Sequence, residues 1–286
     1  MNDMKAMDTG AADTMDAMGA AETRYLDVRD GRIAYQLSGP QDGPLVVLVH
    51  GLGDNGSTYR LLAPALAAAG HRVANTDVRG YGKSSAHWPS YGSDAVGGDV
   101  LALIRELGGP ATVIGHSIGC AGAVWAAAEA PAEVAGLVLI GTFAGGSRPK
   151  AWMRAASWLV TRSPALWGLF YRSLFPAARP ADFDRSVEGI KADLARPGRM
   201  VALRAQLREI LGGLAPRYGQ VGCPALIVTG AEDPDMSDPA AEARRTAADL
   251  AAAPAAVAMI EESGHYPHLD RPGETAKAVL AFLAGV

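Results

Sequence analysis

The chain has 286 residues, 49% of them apolar and 20% charged, with a formal net charge of −4. That size and apolar content suffice for one sizeable core with an inserted subdomain. The charge balance leaves no nucleic-acid footprint, and no apolar run reaches 18 residues, so neither nucleic acid nor membrane is expected as a partner. Cys120 and Cys223 are too few for a disulfide framework, which points to a reducing, cytoplasmic setting. Residues 1–21 are mostly Met, Ala, Asp and Gly without periodicity. They lack the basic and apolar stretches of a signal peptide and read as a disordered tail.

In chain order, residues 25–28 and 32–37 alternate apolar and polar side chains around Asp30-Gly31, the pattern of a hairpin of edge strands. Residues 45–49, 111–114, 137–140, 225–228 and 257–260 are continuous apolar runs, as in strands buried on both faces. Helical patterns fall between them at 59–69, 93–107, 118–130, 239–252 and 274–283. This alternation predicts an α/β fold with right-handed βαβ units and helices on both faces of a parallel sheet. Residues 145–217 break the alternation with helix-compatible aromatic and basic spacing and no strand-like run. They are expected to form a helical cap inserted into a core of residues 22–144 and 218–286.

The sequence Gly115-His116-Ser117-Ile118-Gly119 stands between an apolar run and a small-residue helix. A serine on a tight strand-to-helix turn needs small residues two positions away on either side, and the turn pushes its hydroxyl into the open. The helix start behind it supplies unpaired N–H groups and a positive dipole end, both suited to a developing oxyanion. His50-Gly51-Leu52-Gly53 follows the run 45–49 directly, so the backbone N–H groups of Leu52 and Ile118 are the candidate oxyanion donors. An ordinary Gly-rich loop is the plain alternative for residues 50–53.

Two further segments follow apolar runs and land on the same sheet edge, where open α/β sheets bind ligands. One is Gly230-Ala231-Glu232-Asp233-Pro234-Asp235, and the other is Glu262-Ser263-Gly264-His265. Serine, acid and histidine thus occur in the chain order expected for a nucleophile on an elbow. Glu232, Asp233 and Asp235 compete for the acid, and His268 competes with His265 for the base. A metal pair at His265 and His268 is disfavoured by the intervening Pro267 and the lack of a nearby third ligand.

Ser117, Asp233, His265, the His50-Gly51 loop and Asp77-Val78-Arg79-Gly80-Tyr81-Gly82-Lys83-Ser84 together resemble the α/β-hydrolase superfamily, over roughly residues 24–286. The resemblance is strongest to the branch with a small helical cap, which includes esterases, lactonases, carbon–carbon hydrolases and haloperoxidase-like proteins. It implies an eight-stranded, mostly parallel sheet with the cap over the site, no metal and no organic cofactor. It also implies Asp233 as the acid. Ser117 is then the nucleophile, His265 its general base, and Asp233 the partner that fixes the imidazole.

The expected substrate is a small apolar carboxylic ester, with lactones and thioesters included. A carbon–carbon hydrolase with the same triad is the alternative within enzymes, and a non-catalytic small-molecule receptor is the alternative of another class. An aspartate at the elbow would imply epoxide or haloalkane chemistry, so Ser117 argues against both. Residues 147–217 carry 13 Lys and Arg against 5 Asp and Glu. Such a basic segment suits an anionic substrate or an acyl carrier protein, or equally a solvated face of Arg-rich helices. His116, Asp77 and Arg79 are expected to make structural hydrogen bonds, Cys120 to be buried, and His71 and His87 to lie on loops.

Overall fold

The computed structural model describes residues 22–143, 158–211, 217–250 and 252–286. The tail expected at 1–21 lies outside the described residues, as do Trp152 and the first boundary of the insertion. Eight strands form one sheet in the order β1-β2-β4-β3-β5-β6-β7-β8. They are β1 Thr23–Val28, β2 Gly31–Ser38, β3 Leu45–Val49, β4 Arg72–Asp77, β5 Ala111–His116, β6 Val134–Ile140, β7 Ala225–Gly230 and β8 Ala255–Ile260. β1 pairs antiparallel with β2 and β2 antiparallel with β4, while every pairing from β4 to β8 is parallel.

The apolar runs are continuous because their two faces serve different cores. Val47 and Val49 of β3 pack with α2 Ser93–Leu107 and α3 Gly119–Glu129, whereas Val46 and Leu48 point to α1 Leu62–Ala68 and α9 Pro272–Leu283. β5 divides likewise, with Val113 on the first face and Ile114 on the second. Burial on both sides removes the period-two polarity of a half-exposed strand.

Two expectations require correction, and one strand lacks the pattern that marks the others. The strand β4 has no continuous apolar run, because Asn75 and Thr76 interrupt it. Asn75 Nδ2 donates to Gly56 O at 2.8 Å and Thr76 Oγ1 to Leu48 O at 2.6 Å, so buried polar groups here fasten the segment after β3 and β3 itself. Strand β2 is not an edge strand, since it pairs on both sides. The run 257–260 is not buried on both faces: β8 pairs only with β7, and Val257 is 39% exposed.

Between β6 and β7 the described residues include α4 Pro164–Ser173, α5 Phe183–Leu194 and α6 Arg199–Leu211. Helix α4 starts where Ser163 Oγ accepts from Leu166 N and Pro164 occupies the first turn. Asp182, just before α5, takes a bidentate pair from Arg60 of the core at 2.5 and 2.7 Å. From α6, Gln206 accepts from Tyr81 Oη at 2.9 Å, and Arg199 Nη2 donates to the carbonyls of Gly82 and Ser84 at 2.6 and 2.9 Å. Of the aromatic residues read from this segment, Trp167, Tyr171, Phe175 and Phe183 are buried, whereas Trp158 is 60% exposed. The remaining chain holds α7 Pro239–Asp249, shorter than the helix expected over 239–252, and the single turn α8 Pro267–Asp270.

Candidate active site

The turn after β5 shows directly why glycine flanks the serine. Ser117 has φ +51°, a left-handed conformation that costs a non-glycine residue of order 1–3 kcal/mol. Its N–H donates to Ile140 O at 2.8 Å and its carbonyl accepts from Cys120 N at 3.0 Å, which closes the turn into α3. A Cβ on Gly119 would stand 2.4 Å from Val49 O and 2.7 Å from His50 O, and one on Gly115 would stand 2.7 Å from Cys120 backbone atoms. Strand, turn and helix therefore approach more closely than any side chain permits.

The loop after β3 lies against this turn. A Cβ on Gly51 would be 3.1 Å from Ser117 Cβ, which places Leu52 beside the serine. Among the described residues no backbone carbonyl accepts from Leu52 N or Ile118 N, and Ser117, Ile118 and Leu52 are all partly exposed. His50 holds the loop: Val78 N donates to its Nε2 at 2.9 Å, so Nδ1 carries the proton and donates to Gly51 O at 2.8 Å.

His265 Nδ1 lies 2.7 Å from Asp233 Oδ2, and both residues are 2% exposed. Asp233 Oδ1 accepts from Asp235 N at 2.9 Å, so both carboxylate oxygens are occupied. Asp235 is half-buried and Glu232 exposed, so of the three acids Asp233 is the one bonded to the imidazole. Burial works against a charged His265, but the charge and hydrogen bond of Asp233 outweigh it and hold the imidazole up to about 9. The ring sits beside Gly141, where a Cβ would be 3.1 Å from His265 Cε1, and Gly141 follows Ile140, the acceptor of the Ser117 N–H.

His268 is oriented elsewhere. Its Nε2 is 3.0 Å from Thr58 Oγ1, and burial, with Arg60 and His265 nearby, lowers its pKa to about 3. His116 makes a structural bond as expected, to the His265 carbonyl from Nε2 at 3.0 Å. Burial beside His268 and His265 keeps it well below the ordinary histidine range. Cys120 is buried, and desolvation raises its thiol to about 12. Asp77 accepts from Gly56 N and Lys83 N, each at 2.8 Å, and Arg79 forms a bidentate pair with Asp99 at 2.7 Å. His71 and His87 lie on loops.

Three contacts had no sequence signal strong enough to predict them. His265 N donates to Leu174 O, at the end of α4, at 3.0 Å. Asp270 Oδ2 accepts from Gly264 N at 2.6 Å and Ser263 Oγ at 3.2 Å. Asp54, 2% exposed in the loop after Leu52, accepts from Asn55 N at 2.8 Å, and burial raises its pKa. A backbone acceptor such as Leu174 O leaves no trace in side-chain identity, and Asp270 reads as an ordinary acid in a first helical turn. Among the described residues no group of three or more His, Cys, Asp or Glu is arranged to hold a metal ion, and no helix is long and apolar enough to cross a membrane.

An eight-stranded, mostly parallel sheet with a strained serine turn at its carboxyl edge defines the α/β-hydrolase fold. The alpha/beta hydrolase family profile matches residues 46–278, and the chain belongs to that family. Epoxide hydrolase B of Mycobacterium tuberculosis (strain ATCC 25618 / H37Rv) is 40% identical over 128 residues, covering 43% of this chain and 36% of that protein. The chain thus matches only about a third of that relative's length. Epoxide hydrolase A of the same strain is 25% identical over 94% of this chain and 99% of its own. The crystal structure of the enol-lactonase from Burkholderia xenovorans LB400 superposes with a TM-score of 0.74 at 25% identity, covering 91% of this chain and 100% of that one.

Proposed function

We propose that the protein is a serine hydrolase of carboxylic esters, lactones and thioesters included, acting through an acyl-Ser117 intermediate. The observation that carries this reading is the buried Asp233–His265 pair, 2.7 Å apart, beside a serine held at φ +51°. With Nδ1–H directed to Asp233, His265 Nε2 is the nitrogen left to take the Ser117 proton. Ser117 Oγ then attacks the ester carbonyl, and the Leu52 and Ile118 N–H groups receive the oxyanion. His265 returns the proton to the departing alcohol, and Asp233 keeps the tautomer and stabilises the imidazolium. Water, deprotonated by the same imidazole, releases the acid by the reverse sequence.

The helices between β6 and β7 act in this reading as a cap, with buried Trp167 and Tyr171 favouring an apolar acyl or alcohol group. The likeness to an enol-lactonase supports a cyclic or linear ester. The likeness to two epoxide hydrolases concerns relatives with a different scissile bond, and a serine at the elbow favours the ester.

The test is covalent labelling with a fluorophosphonate, followed by turnover of p-nitrophenyl esters of rising chain length, γ-lactones and styrene oxide. Labelling that vanishes in Ser117→Ala, with turnover of esters or lactones but not of styrene oxide, is expected. Labelling retained in Ser117→Ala overturns the nucleophile assignment. Labelling without any ester or lactone turnover overturns the substrate class.

A further inference from the structure

His265 is held by four elements besides its own loop: Asp233 after β7, the Leu174 carbonyl after α4, His116 at the end of β5, and Asp270 in α8. Asp233 and His116 bond the residue itself, and Leu174 bonds its N–H. Asp270 acts one residue earlier, where one oxygen collects both the Gly264 N–H and the Ser263 hydroxyl.

That turn has little freedom elsewhere. A Cβ on Gly264 would be 2.3 Å from Leu174 O and 2.5 Å from Pro176 Cδ, and one on Gly230 would be 2.0 Å from Gly264 O. The Gly264 peptide is thus wedged between the end of α4 and the end of β7, and Asp270 is the side chain that fixes its N–H. Asp270 is 8% exposed, and its Oδ1 is buried without a hydrogen-bond partner. An acid kept with one unpaired oxygen in the interior is costly unless its charge or position serves something nearby.

We propose that Asp270 is a positioning residue for His265, fixing the Ser263–Gly264 turn and adding a second buried acid whose charge bears on the imidazole. The inference rests on His265 as the general base. His265 and Asp233 face Asp270 across the loops, and Tyr171 faces it from α4. On the imidazole itself act Asp233 and Asp235 from the loop after β7, together with the neutral rings of His116 and His268. Burial, partly offset by the bonds from Gly264 and Ser263, raises Asp270 to about 7, so its charge develops across neutral pH.

The experiment is the pH profile of the second-order rate of fluorophosphonate labelling for wild type, Asp270→Asn, Asp270→Ala and His265→Ala. Asparagine retains an oxygen for the Gly264 N–H but lacks the charge. Its plateau rate should stay within about threefold of wild type, and its rising limb should move about half a pH unit lower, because an imidazole that loses a nearby anion is less basic. Asp270→Ala should lose at least about tenfold at the plateau through misplacement of the base. A folded Asp270→Ala that labels within twofold of wild type overturns the proposal. So does an Asp270→Asn limb that coincides with wild type, and this second reading decides the case if the alanine variant fails to fold. Labelling undiminished in His265→Ala overturns the base assignment, and with it this role. His265→Ala inactive beside an unaffected, folded Asp270→Ala removes the positioning role alone.

Discussion

The serine turn and the histidine loop stand a few ångströms apart yet are built by opposite means. The turn is compact: five consecutive residues carry Ser117 at φ +51°, closed by the Cys120 N–H and seated on backbone carbonyls of β6 and of the end of β3. The loop is assembled: His265 takes its place from Asp233, 32 residues earlier, from His116, 149 residues earlier, and from Leu174 within the helical insertion. The serine turn therefore depends on neighbouring strands of the same sheet, whereas the His265 loop is exposed also to any shift of the helices between β6 and β7.

Substitutions at the two regions should separate these modes, beginning with the largest effects. Ser117→Ala should abolish labelling and lower ester turnover on the order of 10⁵–10⁶-fold, measured as kcat, while the fold remains. Asp233→Asn should cost about 10⁴-fold in kcat, because the amide favours the wrong imidazole tautomer. Asp235→Asn should leave most of the activity, since Asp235 bonds the pair only through its backbone N–H and its side chain acts on the imidazole by charge alone. Equal losses from the two variants would reassign the acid.

Gly119→Ala should destabilise by about 3 kcal/mol in urea titration, as its methyl meets the carbonyls of Val49 and His50, backbone atoms that cannot rotate away. Wild-type stability in that variant would break the account of the elbow. The histidine loop carries a pH signature instead. His265 is raised from 6.5 to about 9, so the stability it contributes is complete below about pH 6.5 and is lost as pH climbs through 9. The Tm advantage of wild type over His265→Gln should shrink across that interval, and a constant gap would contradict the ion pair. The smallest stability change is that of Ser117→Gly, which should gain about 1 kcal/mol by relieving the left-handed strain, measured by urea titration.

The fold was legible wherever burial wrote itself into side-chain type. Strands β3, β5, β6 and β7 show as apolar runs because both their faces are covered, and α2 runs over the span predicted for it, 93–107. Strand β4 shows no apolar run because Asn75 and Thr76 bind the carbonyls of Gly56 and Leu48 inside the sheet. Strand β8 was read as more buried than it is, since an edge position depends on which strands come beside it.

The sequence by itself marked the elbow: glycine spacing around Ser117 meets a steric requirement that other residue types do not, although the carbonyls that press on Gly119 come from the end of β3. The order of the strands, and with it the placing of the turns that carry Ser117, Asp233 and His265 at one sheet edge, was decided by tertiary structure. So were the pairing of Asp233 rather than Asp235, and the capture of the His265 segment by Asp270 and the Leu174 carbonyl. Hydrogen bonds between distant segments, and those to backbone carbonyls above all, depend on where packing brings the chain, and residue identity along the sequence does not encode that distance.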